Sequence, residues 1–279
     1  FDPQGLLNPG VILNDDPQAH LRNLKPLPAA DPLVDKCIEC GFCEPKCPSR
    51  GLTLSPRQRI VGWRAIAALE RDAAAAPMLR AMRALYDYHG IETCAACGLC
   101  ATACPVGIET GVLIKSLRGR RAGPTARRVA DFAARHYGTL SAGVRLGLAA
   151  ADAAHALVGT GTMTRSLAGL RRLTGGAMPK WSPAFPRPVR FSAPPVRPST
   201  ARDRVVYFPS CATRNMGAQR GDDDTEALPV TAARLFGKAG FDVVHPTGMD
   251  GLCCGQPFES KGLMAAADAK SAELEAALR

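Results

Sequence analysis

Residues 37–48 read CIECGFCEPKCP, and residues 94–105 read CAACGLCATACP. Each stretch spaces its cysteines as Cys-x-x-Cys-x-x-Cys-x-x-x-Cys and closes on proline: Cys37, Cys40, Cys43, Cys47 and Pro48 in the first, Cys94, Cys97, Cys100, Cys104 and Pro105 in the second. A cube-shaped iron–sulfur cluster needs one thiolate per iron. Three cysteines two residues apart let one loop wrap a corner of such a cluster while backbone N–H groups face its sulfides. The fourth thiolate does not come easily from the same loop.

Where two such runs share a domain, the fourth cysteine of each ligates the other cluster. By that rule cluster one takes Cys37, Cys40, Cys43 and Cys104, and cluster two takes Cys94, Cys97, Cys100 and Cys47. Zinc is the alternative for Cys-x-x-Cys pairs, but a tetrahedral zinc site uses two pairs, leaving the middle cysteine of each triplet and the Cys-Pro step unused. Two 4Fe–4S clusters account for all eight thiolates, which are then occupied by iron and free for no bond-making chemistry.

The segment between the motifs is helical in pattern. Ser55-Pro56 offers an N-cap followed by proline at the first helical position, opening a helix expected to reach about Ala75. Pro77 opens a second, with Met78, Met82, Leu85 and Tyr86 at helical spacing and Gly90 expected as its C′ residue. Two helices between two cysteine loops would bring the loops together at one end of a small bundle.

Further helices are expected at about 125–137, 141–157 and 164–173. Residues 178–200 hold seven prolines, a density expected to exclude regular structure and to mark an interdomain linker. VVYFP (205–209) reads as a buried strand delivering Cys211 at its end, 225–239 as a helix and FDVV (241–244) as a second strand, a β-α-β start. Residues 259–279 read as helix. The fold class expected is mainly α: an α-helical two-cluster domain at 31–120, a helical segment at 121–177, the linker at 178–200 and a partial α/β cysteine-rich domain at 201–279. The turn-rich start, FDPQGLLNPGVIL, makes residues 1–30 the expected tail of a preceding domain.

A second constellation is Cys211 with Cys253, Cys254 and Gly255. Buried cysteines commonly serve packing, yet a vicinal pair before a turn-permitting glycine would let three thiols converge. Packing and a third metal or redox centre both stand. The five histidines are scattered, and His245 is nearest this loop.

The 279 residues carry a net charge of +10 and are 46% hydrophobic but only 5% aromatic, which suits a helical, alanine-rich globular chain. Lys115, Arg118, Arg120, Arg121, Arg127 and Arg128 crowd together after the second motif. They form either a docking face for an anionic protein or membrane surface or a plain solvated face; without aromatic interleaving or a recognition motif, nucleic acid is not an expected partner. No run of about 18 apolar residues lacks charge, no dinucleotide or phosphate loop is present, and eleven cysteines without an export signal suit a reducing compartment. A cytoplasmic location, free or peripheral at the inner membrane, is expected.

These motifs resemble the C-terminal iron–sulfur region of bacterial FAD-linked D-lactate dehydrogenases, relatives of glycolate oxidase fused to its iron–sulfur subunit. FDPQGLLNPGVIL (1–13) is similar to the last turn of the family's FAD-linked oxidase domain, 23–60 to its first cluster segment and 93–111 to its second. Cys211 with Cys253-Cys254-Gly255 is similar to the first half of the cysteine-rich domain shared with heterodisulfide reductases. The resemblance implies that a D-2-hydroxy acid, D-lactate first and glycolate or D-2-hydroxyglutarate next, reduces FAD on an upstream domain, and that the clusters pass electrons singly to a cytochrome or quinone. Catalysis would then lie outside this segment. The rival expectations are the iron–sulfur subunit of a glycolate oxidase or heterodisulfide-reductase-like complex, and a docking protein with structural clusters.

Overall fold

The computed structural model describes residues 2–4, 6–7, 10, 14–22, 27–176, 180–189, 191, 203–223 and 226–279. The expected tail at 1–30 and the linker at 178–200 therefore lie partly outside the described residues. The chain is mainly α and divides into two compact units, Phe1–Arg118 and Gly119–Arg279.

In the first unit, α1 (Pro56–Leu69) begins where the sequence places it. Ser55 accepts from the Gln58 N–H and Gln58 returns a bond to the Ser55 N–H, a capping box with Pro56 in the first turn. The helix stops at Leu69, short of the expected Ala75, and a separate 3-10 turn at Ala73–Ala75 is capped by Asp72. α2 (Ala76–Tyr86) does not end on Gly90 as a C′ residue. It widens into a π turn over Asp87–Glu92 that runs through Gly90. The physical reason is the Tyr86 ring: a Cβ on Gly90 would lie 2.5 Å from it, so the glycine serves close packing. Val34, Ile60, Ile66, Tyr86, Ile91, Ile108, Leu113, Ile114 and Leu117 form the core, with α3 (Thr110–Arg121) closing the unit.

In the second unit, α4 (Pro124–Arg135) is followed by α5 (Tyr137–Leu173), in which Gly159 has non-helical φ 75° and ψ 166°, so the expected 141–157 and 164–173 helices are two pieces meeting at a break. Within the segment expected to lack regular structure, Pro186–Pro188 forms β1. A three-residue strand tolerates its prolines because the ladder asks little of their missing N–H groups. β2 (Arg204–Val206) is followed by α6 (Cys211–Asn215), β3 (Met216–Gln219), α7 (Leu228–Lys238) and β4 (Asp242–Val244). β1 pairs antiparallel with β3, and β2 pairs parallel with β4 in the register Val205 to Val243. The β-α-β start is present with α6 and β3 inserted, and the C-terminal stretch is two helices, α8 (Gln256–Glu259) and α9 (Met264–Leu278). Among the described residues no helix is long and apolar enough to cross a membrane.

Candidate metal centres

The two cysteine loops of the first unit are built alike, residue for residue. Two positions after the first cysteine of each motif, Glu39 (φ 59°) and Ala96 (φ 50°) adopt the left-handed conformation, and two further on Gly41 (φ 86°) and Gly98 (φ 77°) do so as well. These reversals turn backbone N–H groups inward. The Glu39 N–H donates to Cys37 Sγ and the Ala96 N–H to Cys94 Sγ, both at 3.4 Å. The fourth cysteine of each motif then leaves a 3-10 turn, Glu44–Lys46 before Cys47 and Leu99–Ala103 before Cys104, with extended backbone at both cysteines.

Each loop is also held from behind by an arginine to which the sequence reading gave no such role. Arg64 Nη2 donates to the carbonyls of Asp35 and Cys37, each at 3.0 Å. Arg118 Nη2 donates to Ile91 and Cys94, each at 2.7 Å. Arg118 is thereby turned toward the second loop instead of joining the basic face expected of its segment. Arg64 also pairs with Glu39 at 2.8 Å, both side chains almost wholly out of solvent. The only available signal was a charge on the buried face of a helix.

The loops are laced to each other. Ser49 Oγ donates to the Thr93 carbonyl at 2.7 Å, and the Thr53 and Thr93 hydroxyls lie 2.6 Å apart. Consequently the cysteines sort by space and not by motif. One cavity is lined by Cys37, Cys40, Cys43 and Cys104, the other by Cys94, Cys97, Cys100 and Cys47. Cys40 and Cys97 face solvent while Cys47 and Cys100 are buried. Burial pushes the Cys43 thiol up to about 11, and burial also raises Cys94, against the Ala96 N–H and the positive charges of Arg59 and Arg118. Thiols held up this way become thiolates when a metal takes the proton's place. Four thiols around a partly open cavity, inward N–H groups and buried cationic donors fit the demands of a cubane cluster.

In the second unit, Cys211 opens α6 behind the Ser210 N-cap, beyond the end of β2 where the sequence placed it. Cys211 and Cys253 pack with Tyr137 in one apolar cluster, and burial first, with the two thiols after it, raises the Tyr137 hydroxyl above its ordinary range. Cys253 is buried, Cys254 is exposed, and the Gly255 N–H donates to Cys253 Sγ at 3.4 Å, as in the two loops of the first unit. Arg214 donates to the Met249 carbonyl and, at 2.7 Å, to that of Leu252, again gripping the backbone ahead of the cysteine. His245 turns its Nδ1 to the Tyr207 carbonyl, 2.8 Å away. Among the described residues, no group of three or more His, Cys, Asp or Glu side chains is placed to hold a single metal ion.

Residues 33–108 match the family model described as a 4Fe-4S dicluster domain. Over 97 residues, 30% of this chain, the sequence is 33% identical to a component of the dihydromethanophenazine:CoB–CoM heterodisulfide reductase of Methanosarcina acetivorans, and to the corresponding component from Methanosarcina mazei with the same identity and length. Each match covers 23% of the relative, so the chain spans about a quarter of the curated relatives' length. No solved structure matches. The chain is an iron–sulfur electron-transfer protein with a two-cluster ferredoxin-type domain.

Proposed function

We propose that the first unit holds two 4Fe–4S clusters with exchanged fourth ligands, Cys37, Cys40, Cys43 and Cys104 on one and Cys94, Cys97, Cys100 and Cys47 on the other. The observation that carries this is the pair of cavities, each lined by three cysteines of one motif and the last cysteine of the other. Such clusters, when bound, take up and release single electrons without bond chemistry at the protein. The chain's own residues do the rest. Arg64 and Arg118 fix the loop backbones, the Glu39 and Ala96 N–H groups meet the sulfurs, and the apolar core keeps water from Cys47 and Cys100. The largely exposed Ile38 and Phe42 flank exposed Cys40, an apolar approach for another redox protein.

As donor we propose the FAD of a D-2-hydroxy-acid dehydrogenase, with D-lactate the leading substrate, and as acceptor a cytochrome or quinone. The likeness of 23–60 and 93–111 to that family's cluster segments supports this. A second proposal is an iron–sulfur subunit of a heterodisulfide-reductase-like complex. The similarity to the two Methanosarcina heterodisulfide reductase components favours it, as does the packing of Cys211 and Cys253 in one cluster around Tyr137.

The deciding experiment is anaerobic. The full translation product of the gene is purified, D-lactate is added, and cluster absorbance and electron paramagnetic resonance are followed. Bleaching with reduced-cluster signals is expected. If dithionite reduces the clusters while D-lactate, glycolate and D-2-hydroxyglutarate all fail, the hydroxy-acid proposal is rejected. Reoxidation of the reduced protein by an organic disulfide would then favour the second.

A further inference from the structure

The two loops match in backbone reversals, in N–H groups to sulfur, in arginine clamps and in the exposure of Cys40 and Cys97. These features alone would leave two clusters with nearly equal potentials. The neighbouring charges do not match. Beside the first cavity, Arg57 is paired with Glu44 at 3.0 Å and Arg64 with Glu39 at 2.8 Å, so each cation there has a carboxylate. Beside the second, Lys115 lies 3.8 Å from Glu109, but Arg59 has no such partner among the described residues. It is completely buried, and its Nη1 donates to Cys47 Sγ at 3.9 Å. Its other donors end on neutral oxygens: the Gly90 carbonyl at 2.8 Å and the hydroxyls of Thr53 and Thr93 at 3.4 and 3.2 Å.

A guanidinium taken out of water persists where an anion compensates it. The anion that the geometry puts beside Arg59 is a cluster ligated through Cys47, with Cys94 also within the field of the same charge. A reduced cluster carries one more negative charge than an oxidised one, and a fixed positive charge in a low-dielectric site favours that state. We propose that Arg59 is the counter-ion of the cluster held by Cys94, Cys97, Cys100 and Cys47, and makes this the higher-potential site of the pair. The proposal rests on the two-cluster reading above. In a chain carrying one electron, the site with Cys104 gives that electron up and the site with Cys47 takes it, with no proton moved and no bond made. The π turn over Asp87–Glu92 places the Gly90 carbonyl against the Arg59 guanidinium, and Tyr86 donates to the Arg59 backbone carbonyl at 2.8 Å, so the residue is held at its side chain and at its backbone.

The test is a potentiometric titration of the full chain, followed by electron paramagnetic resonance, with iron content measured on the same sample. The unmodified chain should show two midpoints separated by at least a tenfold partition, about 59 mV for a one-electron couple. Arg59→Gln should lower the upper midpoint by at least that much and leave the other in place. Arg59→Lys, which keeps the charge, should preserve more than half of the separation. Coincident midpoints in an unmodified chain with iron for two clusters would overturn the proposal, as would an unmoved upper midpoint in fully loaded Arg59→Gln. Should Arg59→Gln lose its iron, the unmodified chain and Arg59→Lys decide the matter. Iron for fewer than two clusters in the unmodified chain would instead defeat the two-cluster reading itself.

Discussion

Arg64→Met tests how the first cysteine loop is held. The side chain is 2% exposed and its partner Glu39 is 4% exposed, so the substitution strands a buried carboxylate without this guanidinium. Breaking a buried pair from one side costs about 3–5 kcal/mol. Losing the charged donors to the Asp35 and Cys37 carbonyls, both at 3.0 Å, adds roughly 1–2 kcal/mol. Glu39 also sits at φ 59°, a conformation that a non-glycine side chain holds only when its surroundings enforce it. A total near 5 kcal/mol is comparable with the whole stability of a small domain. The expected outcome is a chain that purifies with about half the iron and whose guanidinium chloride midpoint, followed by visible absorbance, falls steeply. Adding Glu39→Gln removes the stranded charge and should restore about 1–3 kcal/mol. Full iron with an unmoved midpoint in Arg64→Met, or a double variant no better than the single one, would refute the reasoning.

Further outcomes follow from other parts of the structure. Cys40→Ser should lose one cluster and disorder residues 31–48, because metal binding and folding are coupled in small cluster domains; unchanged iron content would reject Cys40 as a ligand. Gly90→Ala should cost about 2–4 kcal/mol in chemical denaturation. The new Cβ falls 2.5 Å from the Tyr86 ring and displaces the hydroxyl that donates to the Arg59 carbonyl; Gly62→Ala, where the nearest ring atom is 3.1 Å away, should cost less. In the second unit, burial raises the Asp152 carboxyl, but hydrogen bonds and charge from Arg220, with Arg187 beside it, more than offset this and hold it below the usual carboxylate range. Such a depressed group contributes stability that is complete above its unfolded value near 4 and is lost as pH falls through its folded value. The stability gap between the native chain and Asp152→Asn, about 1 kcal/mol or less for a pair open to solvent, should therefore close as pH falls below about 4 in acid titrations by circular dichroism. A gap that widens on acidification would contradict the assignment.

Much of the first unit is legible in the sequence because its signals are local. The Ser55 N-cap and Pro56 open the helix as expected, and Gln58 three residues on adds a capping box. The end of α2 is not local. Gly90 looks like a stop signal, yet it is needed where Tyr86 packs, and the helix continues as a π turn. β1 was hidden by its own prolines, since its pairing with Met216–Gln219 spans some thirty residues and leaves no periodic trace. The break in α5 at Gly159 falls in the gap left between the expected helices at 141–157 and 164–173, because glycine there dilutes the helical pattern locally.

What the sequence determined by itself is the chemistry. Cysteine spacing within one loop is a covalent property, and two runs of the cluster type declare an iron–sulfur electron carrier before any fold is known. The grouping of each triplet with the last cysteine of the other run was also read from the sequence, and the cavities are lined in that way; the tertiary structure decided which arginines serve the loops. Arg59 and Arg64 read as ordinary helix residues and Arg118 as one of a basic run, and only packing carries Arg59 to Gly90, Arg64 to Cys37 and Arg118 to Cys94. Those contacts join residues 24–31 positions apart. Their existence depends on how the helices bury their apolar faces against one another, and a spacing rule within a single loop contains no information about that.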